Sequence, residues 1–136
     1  MSKLFDLRTA RDFVGDGKLF APQSFLNATI LELCEVCNGC GAAGSWIRPP
    51  KRMYGTNMVS AFHIHDWMYS EGITIEDKEK ADRVMLNNLN RLIKIDSRKW
   101  YKPSFLQRRR ALKYYLAVKY FGGPAFWDGK SKQEDL

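Results

Sequence analysis

Apolar positions recur along most of the chain at helical spacing, and strict alternation of apolar and polar residues is hardly sustained anywhere. Phe25, Leu26, Ile30 and Leu33 fall on one helical face, which predicts a first helix over 22–37, stopped by Asn38-Gly39. A second helix is predicted over 58–70, with Thr56 or Asn57 as its N-cap and Gly72 at its end. Thr74 and Asp77 have capping-box spacing and open a third helix over 76–95, where Ala81, Met85, Leu89 and Leu92 trace one apolar stripe. Pro103-Ser104 opens a fourth over 105–121, in which Leu112, Tyr115, Leu116 and Lys119 form an ordinary amphipathic pattern, and Gly122-Gly123-Pro124 closes it. The remainder reads as irregular: an arm over 1–21 with one turn of helix within 4–13, a loop over 45–55 that exposes Trp46 and Ile47, and a polar tail from Gly129. The expectation is one mainly α domain over 1–136, with its core in 22–95 and a basic helical region in 96–128.

Composition agrees. A chain of 136 residues with 45% hydrophobic and 27% charged residues is suited to one folded domain and excludes collagen-like and low-complexity classes. The formal charge of +7 favours anionic partners, with phosphate on lipid or nucleic acid as the common denominator. No apolar run approaches the roughly 20 residues of a membrane span, and the first residues lack a signal-peptide core. Synthesis in a bacterial cytoplasm is therefore expected. Cys34, Cys37 and Cys40 lie too close together for a disulfide framework. They read as small apolar residues or, with His63 or His65, as a zinc module.

The chemistry gathers in the second and third helices. His65 and Tyr69 stand one turn apart on one face, while Asp66 looks about 100 degrees away from His65. An imidazole can then face a substrate while a neighbouring carboxylate faces a cation. Asp82 shares a face with Met85, Leu86 and Leu89, so its carboxylate needs a partner inside the apolar stripe. If the two helices pack antiparallel across the 71–74 connection, that partner is the His65 imidazole, because a carboxylate on one ring nitrogen fixes the tautomer of the other. Tyr69 is more suited to a structural role, with its hydroxyl bonding Asp82; His63 faces elsewhere and reads as surface or structural. Met58, Met68 and Met85 read as core.

These residues resemble the phospholipase A2 superfamily. His65-Asp66-x-x-Tyr69 is similar to the family's active-site helix, Ala81-Asp82-Arg83 to its following helix, and Cys40-Gly-Ala-Ala-Gly44 to its calcium loop. The resemblance covers roughly 38–89 and implies two antiparallel core helices behind a calcium-binding loop, flanked by N- and C-terminal helices. It implies a Ca²⁺ ion held by the backbone carbonyls of Gly39, Gly41 and Ala43 and by the Asp66 carboxylate, and catalysis by His65, Asp82 and Tyr69 on the sn-2 ester of glycerophospholipids. The chain departs from the secreted members in having no cysteines around His65, where Ile64, Trp67 and Met68 stand, and in carrying Ala43 at a loop glycine. Its stretch 45–55 is longer than in the compact secreted members and is similar to that of divergent viral and prokaryotic ones; with the lack of a signal and of disulfides this implies a bacterial or phage origin, and a phage enzyme of this kind could travel in the virion.

Between Ser97 and Trp127 there is no acidic residue, while Arg98, Lys99, Lys102, Arg108, Arg109, Arg110, Lys113 and Lys119 are interleaved with Trp100, Tyr101, Tyr114, Tyr115, Tyr120 and Phe121. Such a face suits a phospholipid membrane surface or, less well, nucleic acid. It also suits a different class of function: a non-enzymatic phage or virion structural protein that uses the basic face to bind other virion proteins or phosphate.

Overall fold

The computed structural model describes residues 3–37, 52–96 and 104–127. The glycine loop with Gly39, Cys40, Gly41 and Ala43, the Trp46-Ile47 pair and the tail from Gly129 lie outside the described residues. Seven helices and one hairpin make up the described part, so the fold is mainly α. No helix among these residues is long and apolar enough to cross a membrane.

The expected irregular arm is a helix, α1 (Lys3–Gly15). Leu7 and Ala10 are fully buried, with Phe13 and Val14 packed beside them, an apolar stripe too weak to hold a helix by itself. Packing of α1 against the helices described next supplies what propensity lacks. Just beyond the helix, Gly17 takes φ +76 and turns the chain.

The single helix expected over 22–37 is two: α2 (Gln23–Asn27) and α3 (Ile30–Val36). The break comes from Thr29-x-x-Glu32. The Thr29 hydroxyl accepts from the Glu32 amide at 3.2 Å and the Glu32 carboxylate accepts from the Thr29 amide at 2.9 Å. This reciprocal cap holds Thr29 extended and starts a new helix in the middle of the apolar pattern.

A short antiparallel hairpin, β1 (Arg52–Met53) and β2 (Thr56–Asn57), replaces the irregular stretch before the second predicted helix. Its turn, Tyr54-Gly55, has φ of +50 and +86; two positive φ values suit the twist of a two-residue hairpin. Tyr54 bears the strain of a left-handed residue with a side chain. The turn runs into α4 (Val59–Glu71), where Asn57 Oδ1 accepts from the Val59 amide at 2.9 Å one position outside the N-cap, Met58. Gly72 ends α4 with an ordinary φ of −68. A Cβ there would lie 2.8 Å from the Phe126 ring, so close approach requires the glycine.

The capping box at Thr74 and Asp77 is made, with Asp77 Oδ2 accepting from the Ile73 and Thr74 amides and Thr74 Oγ1 from the Asp77 amide. It opens α5 (Ile75–Asp96), whose buried face runs Lys78, Ala81, Asp82, Met85, Asn88, Leu89, Leu92 and Ile93. The Asn88 amide pairs with both backbone groups of Phe20 and so ties the chain after α1 to α5. The fourth predicted helix is α6 (Ser104–Phe121), followed by a further short helix, α7 (Gly123–Trp127), in place of a simple stop.

The buried stripe of α6 is Gln107, Ala111 and Val118, with Tyr114 and Tyr115 partly buried. Leu112 and Leu116, expected inward, are 46% and 40% exposed. The reason is Gln107. Fully buried, its amide donates to the Met53 carbonyl at 3.0 Å and to Thr56 Oγ1 at 2.7 Å, and this fixes the rotation of α6 against the hairpin.

Candidate functional site

The face of α4 that carries His65 and Tyr69 packs on the face of α5 that carries Asp82. Asp82 is 1% exposed, a position no carboxylate holds without partners. It has three. His65 Nε2 lies 2.9 Å from Oδ1, the Tyr69 hydroxyl donates to the same oxygen at 2.6 Å, and Lys78 Nζ donates to Oδ2 at 2.8 Å. A carboxylate accepts only, so the proton of a neutral His65 resides on Nε2 and the lone pair on Nδ1.

The electrostatics follow from this count of donors. Burial raises the Asp82 carboxyl, but the hydrogen bond and charge of His65 and the bonds from Lys78 and Tyr69 outweigh it and hold the group below the ordinary aspartate range. Burial first, then the charge and hydrogen bond of Asp82, push the Tyr69 hydroxyl far above the tyrosine range. Tyr69 therefore stays a donor, and Asp82 stays an anion.

Lys78 was not among the residues singled out from the sequence, and it is central. It is 4% exposed and also donates to the carbonyls of Val118 at 3.2 Å and Lys119 at 3.3 Å, near the C-terminal end of α6. One ammonium thus satisfies the negative end of a helix and a buried carboxylate together. The signal was present: Lys78 precedes Asp82 by four positions and continues the stripe of α5 by one turn. Gly122 is the second missed residue. A Cβ there would stand 2.5 Å from the Val118 carbonyl and 3.0 Å from the Tyr69 hydroxyl, so only glycine lets the α6–α7 junction close over the site. Phe126 of α7 then meets the Tyr69 ring edge-on at 5.2 Å.

His65 keeps 7% exposure, and its ring lies 4.0 Å from that of Tyr69. Asp66, the next residue, is half-buried and close enough for its charge to act on the Tyr69 hydroxyl. Of the ligand set implied for Ca²⁺, Asp66 is the one residue described; Gly39, Gly41 and Ala43 are not. Its carboxylate is a hard oxygen donor of the kind Ca²⁺ takes. Among the described residues no three His, Cys, Asp or Glu side chains gather as a metal cluster. His63 is buried rather than on the surface, and Cys37 Sγ donates to its carbonyl at 3.2 Å; Cys34 is half-buried.

The arrangement can orient one imidazole, with its proton on the inner nitrogen and its lone pair on the outer one. Compared with protein families, with curated proteins and with solved structures, the chain matches none of them.

Proposed function

We propose that this chain is a calcium-dependent, phospholipase A2-like hydrolase that cleaves the sn-2 acyl ester of glycerophospholipids at a membrane surface. The observation that supports it is the bond from His65 Nε2 to a buried, three-fold satisfied Asp82. In this reading His65 Nδ1 takes a proton from the water that attacks the ester carbonyl. Asp82 stabilises the imidazolium that forms and keeps the ring in place, while Tyr69 and Lys78 keep Asp82 itself fixed. The α4 and α5 pair would be the two antiparallel core helices, behind a calcium loop in 38–44. Asp66 and the carbonyls of Gly39, Gly41 and Ala43 would hold Ca²⁺, which when bound supplies a positive charge against the ester oxygen.

The test is fatty-acid release from anionic phospholipid vesicles, with calcium and with chelator, for wild type beside His65→Ala. Calcium-dependent release that falls on the order of 10²- to 10⁴-fold in the variant is expected. One observation favours the non-enzymatic reading as well: Lys78 neutralises Asp82 inside the core, as a carboxylate that only holds the fold would require. Absence of release with every lipid composition would move the assignment to that scaffold, binding virion proteins or phosphate through its basic face.

A further inference from the structure

Between the hairpin turn and α6 lies an open groove of about 630 Å³. Met53 and Leu106 give it an apolar floor, Tyr54 and Tyr114 flank it, and Arg109, Arg110 and Lys113 supply its charge. Among the described residues no carboxylate lines it, and none forms an ion pair with those three cations.

We propose that this groove is a binding site for a phosphate group. Three features support it together. Arg109 and Lys113 are one turn apart, and Arg110 and Lys113 are three apart, so the cations converge on one stretch of α6. Two guanidinium forks beside an ammonium match the oxygens of a phosphate and leave a positive field that only an anion would neutralise. The opposite wall is built, since Gln107 holds the Met53 carbonyl at 3.0 Å and the Tyr54 carbonyl at 3.4 Å. That clamp holds the hairpin turn, with Tyr54 at φ +50, in place on the rim of the groove.

The phosphate could be free or carried by a lipid headgroup. Leu112, Leu116 and Tyr120, exposed at 46%, 40% and 68%, continue along α6 beyond the groove and suit acyl chains. Tyr114 also joins the groove to the candidate active site, because its ring meets Phe62 at 5.2 Å, one turn before His65. The proposal does not depend on the hydrolase reading, since its readout is binding alone.

Isothermal titration at fixed ionic strength tests it, with sodium pyrophosphate and with monomeric dihexanoyl phosphatidylglycerol as separate probes. The triple variant R109Q/R110Q/K113Q is compared with K18Q/K80Q/R83Q, which removes the same charge from exposed positions elsewhere. The groove variant should lose at least tenfold in affinity and the control less than twofold. Tyr54→Gly keeps the positive φ, so the turn survives, and it should lose several-fold. Tighter binding of the lipid identifies a headgroup site and tighter binding of pyrophosphate a free-phosphate site. Equal losses in the two triple variants, or no binding of either probe to wild type, would overturn the proposal. So would binding seen only with a single-stranded oligonucleotide, which would make the face a nucleic-acid surface.

Discussion

Two groups of charged residues meet at α6 and follow opposite rules. Beneath the helix, Lys78 and Asp82 are almost completely buried beside His65, and both charges there have matched donors or acceptors within 3.3 Å. On its outer side, Arg109, Arg110 and Lys113 stand exposed beside an open groove that no carboxylate lines among the described residues. Desolvation explains the contrast. A buried ion is tolerated only when its partners replace water, whereas an exposed one is stabilised by water until a ligand displaces it. The inner cluster is therefore rigid and suited to orienting one imidazole, and the outer one is available for binding.

Substitutions break this comparison most severely on the inside. Asp82→Leu leaves Lys78 without its carboxylate and should cost about 3–5 kcal/mol in urea denaturation, whereas Asp82→Leu with Lys78→Met should recover most of that loss. A double variant as unstable as the single one would mean that His65 and Tyr69, not Lys78, depend on the anion. Gly122→Ala should cost about 1–3 kcal/mol, because its Cβ meets the Val118 carbonyl and the Tyr69 hydroxyl. If the variant melts like wild type, α7 does not close over Tyr69 as described.

Acid titration sharpens the same contrast. The folded-state pKa of Asp82 lies below its unfolded value, so its stabilising effect is complete above about pH 4 and is lost as pH falls below that. Acid unfolding followed by circular dichroism should be steeper in wild type than in Asp82→Asn across that range. Thr29→Ala removes the cap that separates α2 from α3 and should cost about 1 kcal/mol in thermal melts. Smallest of all, R109Q/R110Q/K113Q should change stability by less than about 0.5 kcal/mol while phosphate affinity falls.

Much of the inner site was legible in the sequence. The placement of His65 and Tyr69 on one face and the need of Asp82 for a partner followed from helical period and the cost of burying a carboxylate, and the identity of that partner followed once α4 was taken to pack on α5. Lys78 was less legible because lysine ordinarily extends to solvent, and what keeps this one inside includes two carbonyls 40 and 41 positions away. The break at Thr29 was also readable, as a Thr-x-x-Glu cap, but the apolar spacing of Phe25 to Leu33 hid it. The hairpin over 52–57 was not, because strands of two residues carry no periodicity.

The sequence by itself determined the helical class, the ends of α4 and α5, and the need of Asp82 for a partner, because each depends on residues within a few turns of one another; the packing of α4 on α5 made His65 that partner. Tertiary structure alone decided that α1 is a helix, that α6 turns Gln107 inward and Leu112 outward, and that Lys78 lies under the end of α6. Those outcomes depend on which surfaces remain to be covered once distant segments meet, and burial and buried hydrogen bonding outweigh the local preference of any short stretch.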